Sequence, residues 1–318
     1  MNIREINIKF STEEHCLEYV EKMRWPDGIV RCPTCGDTNI SRVHRRAESK
    51  NKRPWFYACK NKDCFQHFSP TAGTVFADSH LPLIVWFHAI GLVLNAKKGI
   101  SAKQLQRDLG IGGYKTAWYL LHRIRESFPD TEPNPLNGTV EIDETYVGGR
   151  VRGKGRNEAM QRKSVVMGAV QRGGELRLRH VQNDEAHTFR GFISAHISPD
   201  VDRIHTDQHR SYPPALKSLK RMNPEFDPLH ETVNHIMREY TRGDVTTNRI
   251  ESAFSLFKRG VIGQYHKLSA KHLHRYLSEF EYRFNRRKNA DVFIETVARL
   301  CRVNPLRFVS LVSSKASY

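Results

Sequence analysis

The sequence contains no uninterrupted apolar run approaching the ~18 residues that a membrane-spanning helix needs. No basic helix with an aromatic, apolar face stands out either, which argues against a protein held on an anionic membrane surface. The opening stretch, Met1-Asn-Ile-Arg-Glu-Ile-Asn, lacks the apolar core of a secretion signal, so a cytoplasmic, nucleoid-associated location is expected. Cysteine is scarce, with six residues, and closely spaced pairs in a cytoplasmic chain favour metal binding over disulfides. Acids are also in short supply: 34 Asp and Glu stand against 51 Lys and Arg, a formal net charge of +17, with 16 His besides. Such an excess attracts a polyanion. Because the basic residues recur all along the chain, nucleic acid contacted over much of its length is the expected partner. With 318 residues, 39% hydrophobic and 27% charged, the chain has material for two or three buried domains.

Four of the six cysteines form two knuckles, Cys32-Pro-Thr-Cys35-Gly and Cys59-Lys-Asn-Lys-Asp-Cys64. Gly36 permits a tight turn after the first, and Arg53-Pro-Trp-Phe-Tyr-Ala reads as a strand delivering Cys59. Four thiolates so spaced close one tetrahedral Zn²⁺ site, and the segments are too polar to fold around a core without it. The second knuckle has four residues between its cysteines rather than two, so His67 is kept as a substitute ligand. Arg31, Arg42, His44, Arg45, Arg46 and Arg53 surround this ribbon, and it contacts either DNA or another protein. Ahead of it, Ser11 and Glu14 form a capping-box pattern opening a helix that ends before Pro26, with Cys16, Leu17, Val20 and Met23 as its stripe.

Residues 80–128 read as helical. Leu81-Pro-Leu-Ile-Val-Trp-Phe-His-Ala-Ile-Gly-Leu-Val-Leu is apolar nearly all round, hence a buried helix. Ser101 is the N-cap and Gly110 the C-cap of the next, and a further helix follows from Lys115. Two short helices about a glycine turn match either a helix-turn-helix or a plain bundle. In the first case Lys115, Thr116, Tyr119 and Arg123 face DNA while Ala117, Leu120, Leu121 and Ile124 pack inward. A Pro-rich linker at residues 129–138 then marks a boundary.

Beyond it lies Thr139-Val-Glu-Ile-Asp-Glu-Thr-Tyr-Val, a strand with three acids within four residues. Glu141 and Asp143 point to one face, and Glu144 to the other if the strand is regular. An edge strand with one wet face explains this, as does a cation held by the carboxylates. Arg150, Arg152 and Lys154 form a basic loop ahead of two further strands, a helix near 186–198 and a fourth strand, Asp202-Arg-Ile-His-Thr-Asp207. This β-β-β-α-β order is the ribonuclease-H-like layout, in which the first and fourth strands adjoin and Asp143 meets Asp207. In Thr246-Thr-Asn-Arg-Ile-Glu251-Ser-Ala-Phe-Ser-Leu-Phe-Lys258, Glu251 and Lys258 are seven apart and share a helical face. Residues 269–287 form a basic helix with Leu273, Tyr276, Leu277 and Phe280 inward.

Ile142-Asp143-Glu144-Thr145-Tyr146-Val147-Gly148-Gly149, His205-Thr206-Asp207 and Asn248-x-x-Glu251-x6-Lys258-Arg259 resemble the DDE transposases of bacterial insertion sequences. Gly263-Gln-Tyr-His266 and Glu279-Phe-Glu-Tyr-Arg283-Phe-Asn285 fit the same group, and the likeness spans about residues 10–290. The subgroup with an N-terminal zinc ribbon, the insertion-sequence fifteen-ninety-five group, matches best. The resemblance implies Asp143, Asp207 and Glu251 as ligands of two Mg²⁺ (or Mn²⁺), with Lys258, Asn248 and Arg259 as accessory residues. Glu141, Glu144, Asp184 and Asp202 are rival ligands, and the many histidines are expected to be structural or phosphate-facing. It further implies metal-dependent strand cleavage and strand transfer on double-stranded DNA (terminal inverted repeats and target) by a homodimer or higher synaptic complex. A domesticated regulator without catalysis and a structure-specific nuclease are the alternatives. The expected fold class is multi-domain α+β: N-terminal helix (1–28), zinc ribbon (29–72), helix-turn-helix bundle (73–128), linker (129–138), ribonuclease-H-like α/β catalytic core (139–290), and C-terminal helix and tail (291–318).

Overall fold

Capping residues and apolar stripes divide the chain into short elements that gather into two units. The computed structural model describes residues 1–46, 48–49, 53–148, 163–234 and 241–313. The first unit comprises Met1–Phe128 and Asn289–Tyr318, the second Pro129–Lys288.

In the first unit, Asn2 and Glu5 form a reciprocal capping box that opens α1 (Ile3–Lys9). Helix α2 (Glu13–Arg24) starts one residue later than the Ser11–Glu14 pattern suggests, because it is the Thr12 hydroxyl that accepts from the His15 amide at 3.2 Å. Its stripe of Cys16, Leu17 and Val20 is buried, while Met23 is half-buried. An antiparallel sheet of β1 (Ile40–His44), β2 (Trp55–Cys59) and β3 (His67–Phe68) follows. Helix α3 (Leu83–Asn95) is buried along most of its length, as its apolar composition requires. Ser101 caps α4 (Ala102–Asp108) by accepting from the Gln104 amide at 3.1 Å. Gly110, at φ +61°, supplies the left-handed residue that ends the helix ahead of α5 (Tyr114–Arg125).

The chain returns to this unit at its end. Helices α10 (Val292–Leu300) and α11 (Phe308–Val312) belong to it, and the Phe293 ring lies 5.8 Å from the rings of both Phe10 and Phe87. No local periodicity announces such a long-range pairing.

The second unit is a five-stranded mixed sheet in the order β6-β5-β4-β7-β8. Strands β4 (Thr139–Val147), β5 (Ser164–Gln171) and β6 (Leu176–Val181) form an antiparallel meander. After α6 (Ala186–His196), β7 (Arg203–Thr206) returns parallel to β4, pairing Val140 with Ile204 and Glu141 with His205. Helix α7 (Tyr212–Met222) leads to β8 (Leu229–Thr232), parallel to β7. The first and fourth strands of the unit are thus neighbours, as the element order predicts. Leu136, at the end of the proline-rich stretch, is buried here and exchanges backbone hydrogen bonds with His196 and Ser198 at 2.8 Å.

Two cores lie on the two faces of this sheet. Val140 and Ile142 pack with Phe189, Ile193 and Tyr212 of α6 and α7. Val166 and Leu178 pack with α8 (Asn248–Gly260) and α9 (Ala270–Asn285), which are joined by a π-helical turn, Val261–Tyr265. Strand β6 is an outer strand, and α9 covers it. Asn285 accepts from the Leu176 amide and donates to its carbonyl (2.8 and 3.0 Å), while Glu281 accepts from the Leu178 amide at 2.8 Å.

Candidate functional site

The short hairpins of the first unit bring the four knuckle cysteines together. All four sulfurs lie within 4.8 Å of one another, with Cys32–Cys64 at 3.8 Å and Cys35–Cys59 at 3.7 Å. A tetrahedral Zn²⁺ with Zn–S bonds of about 2.3 Å sets its sulfurs about 3.8 Å apart, so the residues present fit that ion. Burial raises the Cys32 thiol, but the Cys35 and Thr34 amides outweigh it and bring it down to about 7, toward the thiolate a metal needs. The longer second knuckle is accommodated by Phe65, which takes a left-handed φ of +48°. His67 is exposed beside Phe56 and stays outside the four-sulfur group.

In the second unit, β4 runs on past the point where β7 stops. Among the described residues it has no strand partner on that side beyond Glu141, and Asp207 stands just after the end of β7. Ligand oxygens of Asp143, Glu144 and Asp207 consequently lie within 4.8 Å of one another. Glu144 starts from the opposite face, as alternation demands, and its longer side chain reaches the cluster around the open strand edge. There it accepts from the hydroxyl of the fully buried Tyr212 at 3.0 Å. Asp143 accepts from the Glu144 amide at 2.9 Å and Asp207 from the His209 amide at 2.9 Å.

Gly168 lies directly across from Asp143. A Cβ there would come within 2.7 Å of Ile250 and Phe254, so glycine is what lets α8 lie against the sheet on the Asp143 face. That helix carries Glu251, which accepts from the Thr247 hydroxyl at 2.8 Å and is outside the three-acid group. It still adds its charge at Asp143. Lys258, two turns on, is half-buried, and Asn248 and Arg259 are exposed.

The electrostatics are those of crowded, buried carboxylates. Burial, then the charges of Glu144, Asp207 and Glu251, hold Asp143 well above the usual carboxylate range, against its one amide hydrogen bond. Glu144 is pushed up to about 7 by burial and Asp207, against the hydrogen bond from Tyr212. Burial lowers Lys258, and the nearby Asp143 only partly restores it. A divalent ion would offset the mutual repulsion and stabilise all three ionised carboxylates.

Of the rival acids, Glu144 thus joins the cluster, and the other three are used elsewhere. Glu141 is fully buried and bonded to Arg172 at 3.2 Å and to the Arg249 amide at 2.8 Å. Asp184 accepts from the Tyr146 hydroxyl at 2.7 Å, and Asp202 stands at the far end of β7 from Asp207. Of the histidines, His205 is wholly buried beside Arg172, and His230 bonds Thr206 at 3.0 Å.

Of the residues read as DNA-facing, Lys115 and Thr116 are exposed, with the Lys115 ammonium 4.3 Å from the Phe308 ring. Tyr119 is half-buried and its hydroxyl donates to the Leu306 carbonyl. Arg123 must be corrected. It is 4% exposed, donates to the carbonyls of Val75 and Ala77, and lies over the Trp86 ring, so it is an interior brace rather than a surface cation. Arg150, Arg152 and Lys154 lie outside the described residues.

Comparison with known families matches residues 11–66 to a transposase zinc-ribbon domain and residues 135–285 to an ISXO2-like transposase domain. A protein described as "uncharacterized protein in transposable element ISH50", from Halobacterium salinarum (strain ATCC 700922 / JCM 11081 / NRC-1), is 28% identical over 291 residues. The match covers 86% of this chain and 91% of that protein. A solved structure, of simian T-cell lymphotropic virus intasome in complex with PP2A regulatory subunit B56 gamma, has a chain that overlaps at a TM-score of 0.29 with 13% identity. That overlap covers 56% of this chain and 63% of the other, less than two thirds of its length. The ribbon match falls in the first unit and the transposase match in the second, in the order the motifs predict. The chain belongs to the insertion-sequence transposases in which a zinc ribbon precedes a DDE domain.

Proposed function

We propose that the protein binds the terminal inverted repeats of an insertion sequence, cuts at their ends and joins the freed 3′ ends to target DNA. The observation that carries this reading is the meeting of Asp143, Glu144 and Asp207, from β4 and the end of β7, within 4.8 Å. The second unit is read as a ribonuclease-H-like core, an assignment supported by the β6-β5-β4-β7-β8 order with β4 and β7 parallel.

Asp143, Asp207 and Glu251, with Glu144 as a further carboxylate, would hold two Mg²⁺ (or Mn²⁺) ions. When bound, these ions supply the positive charge that polarises the scissile phosphate and lowers the pKa of an attacking water. Lys258, on the Glu251 face of α8, offers its ammonium to a neighbouring phosphate, with Asn248 and Arg259 lying along the same strand of DNA. No side-chain nucleophile is required: water cleaves first, and the released 3′-hydroxyl then attacks the target in line. Helices α4 and α5 act as a helix-turn-helix, with Lys115 and Thr116 toward the duplex. A homodimer or larger synaptic complex is inferred because two element ends have to be joined together. The protein works in the cytoplasm, at the nucleoid.

The test is cleavage of terminal-repeat DNA by the full chain with Mg²⁺ or Mn²⁺, beside Asp143→Asn. The expected loss is at least about a thousandfold, the equivalent of some 4 kcal/mol of transition-state stabilisation. Cleavage without joining would favour a nuclease. Repeat binding with no cleavage under any divalent ion would leave a regulator.

A further inference from the structure

One buried cluster touches the supports of all three proposed acids. Glu141, fully buried on β4, accepts through Oε2 from the amides of Arg249 (2.8 Å) and Ile250 (3.4 Å) in the first turn of α8. These amides have no carbonyl within their own helix to bond, and Glu141, 108 residues away in sequence, supplies the acceptor. Through Oε1 the same carboxylate takes the Arg172 Nε at 3.2 Å. Arg172 also reaches the His205 Nδ1 on β7 at 3.1 Å, and Asp244, just ahead of α8, at 2.6 Å (carbonyl) and 2.8 Å (carboxylate). Asp143 follows Glu141 by two residues, Asp207 follows His205 by two, and Glu251 follows Arg249 by two.

We propose that Glu141 and Arg172 are positioning residues, a clamp that fixes β4, β7 and the first turn of α8 relative to one another and so sets the separation of Asp143, Asp207 and Glu251. The inference rests on the reading of those acids as metal ligands. The β4–β7 ladder stops at Glu141 and His205, two residues short of Asp143 and Asp207. Helix α8 has no such ladder: Ile250 and Phe254 hold it against the sheet by apolar packing, which is non-directional and leaves its register free of hydrogen bonds. The bifurcated bond to Glu141 removes that freedom at the end of the helix where Glu251 sits. Arg172 offsets the charge of a carboxylate held out of water and ties it to β7.

The experiment compares Glu141→Ala, Glu141→Gln and the wild type as full-length protein, with two readouts: Mn²⁺ binding without DNA, and amide exchange at Arg249 and Ile250. Glu281→Gln, a like change at a buried acid of the same unit remote from the cluster, controls for general loosening. Glu141→Ala is expected to lose protection at both amides and to raise half-saturating Mn²⁺ at least about tenfold. Glu141→Gln keeps an oxygen toward the amides, so most protection and a smaller shift are expected. Glu281→Gln is expected to melt earlier with its Mn²⁺ midpoint unchanged. The clamp is overturned if Glu141→Ala leaves the midpoint within about twofold of a wild type that does bind Mn²⁺, or if Glu281→Gln shifts it equally far. A wild type that binds no Mn²⁺ would overturn the metal-site reading itself, and the clamp with it.

Discussion

The thiol cluster of the first unit and the carboxylate cluster of the second both gather like-charged ligands from separated stretches of chain, yet their supports differ. Cys59 ends a strand of a small sheet whose strands have five, five and two residues, the other three cysteines lie in its loops, and the sulfur spacing already matches a closed tetrahedron. The acids sit on a sheet with a core on each face, and protein groups (the Tyr212 hydroxyl, the Glu144 and His209 amides) fix their oxygens. An ion at the thiols would hold the protein together. At the acids the protein itself holds the ligands, so an ion there would keep positions for water and phosphate.

That contrast breaks most visibly if the metals are removed. Chelating zinc, or Cys32→Ser, is expected to abolish a contribution on the order of 10 kcal/mol to the ribbon, with loss of exchange protection in β1 and β2. Mn²⁺ binding at the acids should survive. Retained hairpin protection in metal-free protein would put the two clusters on the same footing. Next in size is Arg123→Met, which leaves the Val75 and Ala77 carbonyls without their buried donor. A loss of about 3 kcal/mol in a denaturant melt is expected, with repeat-DNA affinity of the folded protein unchanged, whereas Lys115→Ala should weaken binding and lower the salt slope by about one. The carboxylate site is sharpened by Glu144→Gln, for which half-saturating Mn²⁺ without DNA should rise about tenfold, or about 1.4 kcal/mol. Glu251→Gln should shift it less while still abolishing cleavage; the reverse order would remove Glu144 from the site.

The smallest effect concerns pH. Burial, then the charges of Arg179 and Arg177, push His196 from 6.5 down to about 4. Between those values the unfolded chain binds a proton that the folded one refuses, so stability falls as pH drops through that window. His196→Gln should flatten the slope of melting temperature against pH between about 6.5 and 4. An unchanged slope would trace acid sensitivity to other groups.

Much of this was legible before any coordinates, and the reason is spacing. The cysteine knuckles, the Ser101 cap, the Gly110 stop and the apolar stripe of α8 are local patterns, and each occurs where expected. The adjacency of Asp143 and Asp207 followed from strand order, a topological rule rather than a contact. What stayed hidden depends on where elements end. Alternation sends Glu144 away from Asp143, and only the early stop of β7 opens the edge around which it returns. Arg123 looked like a surface cation because its burial is decided by carbonyls 48 and 46 residues earlier. Phe293 gave no sign that it closes a core begun at Phe10.

The cover that α9 lays over β6 has a consequence for assembly. Glu281 and Asn285 imitate a sixth strand by answering the Leu178 and Leu176 amides from side chains. That flank of the sheet is therefore closed to strand addition, so copies of this protein that pair would meet through other surfaces. A chain in which α9 peels away would uncover a ready template for misassembly, so the Glu-Phe-Glu-Tyr-Arg-Phe-Asn run at residues 279–285 guards solubility as well as shape.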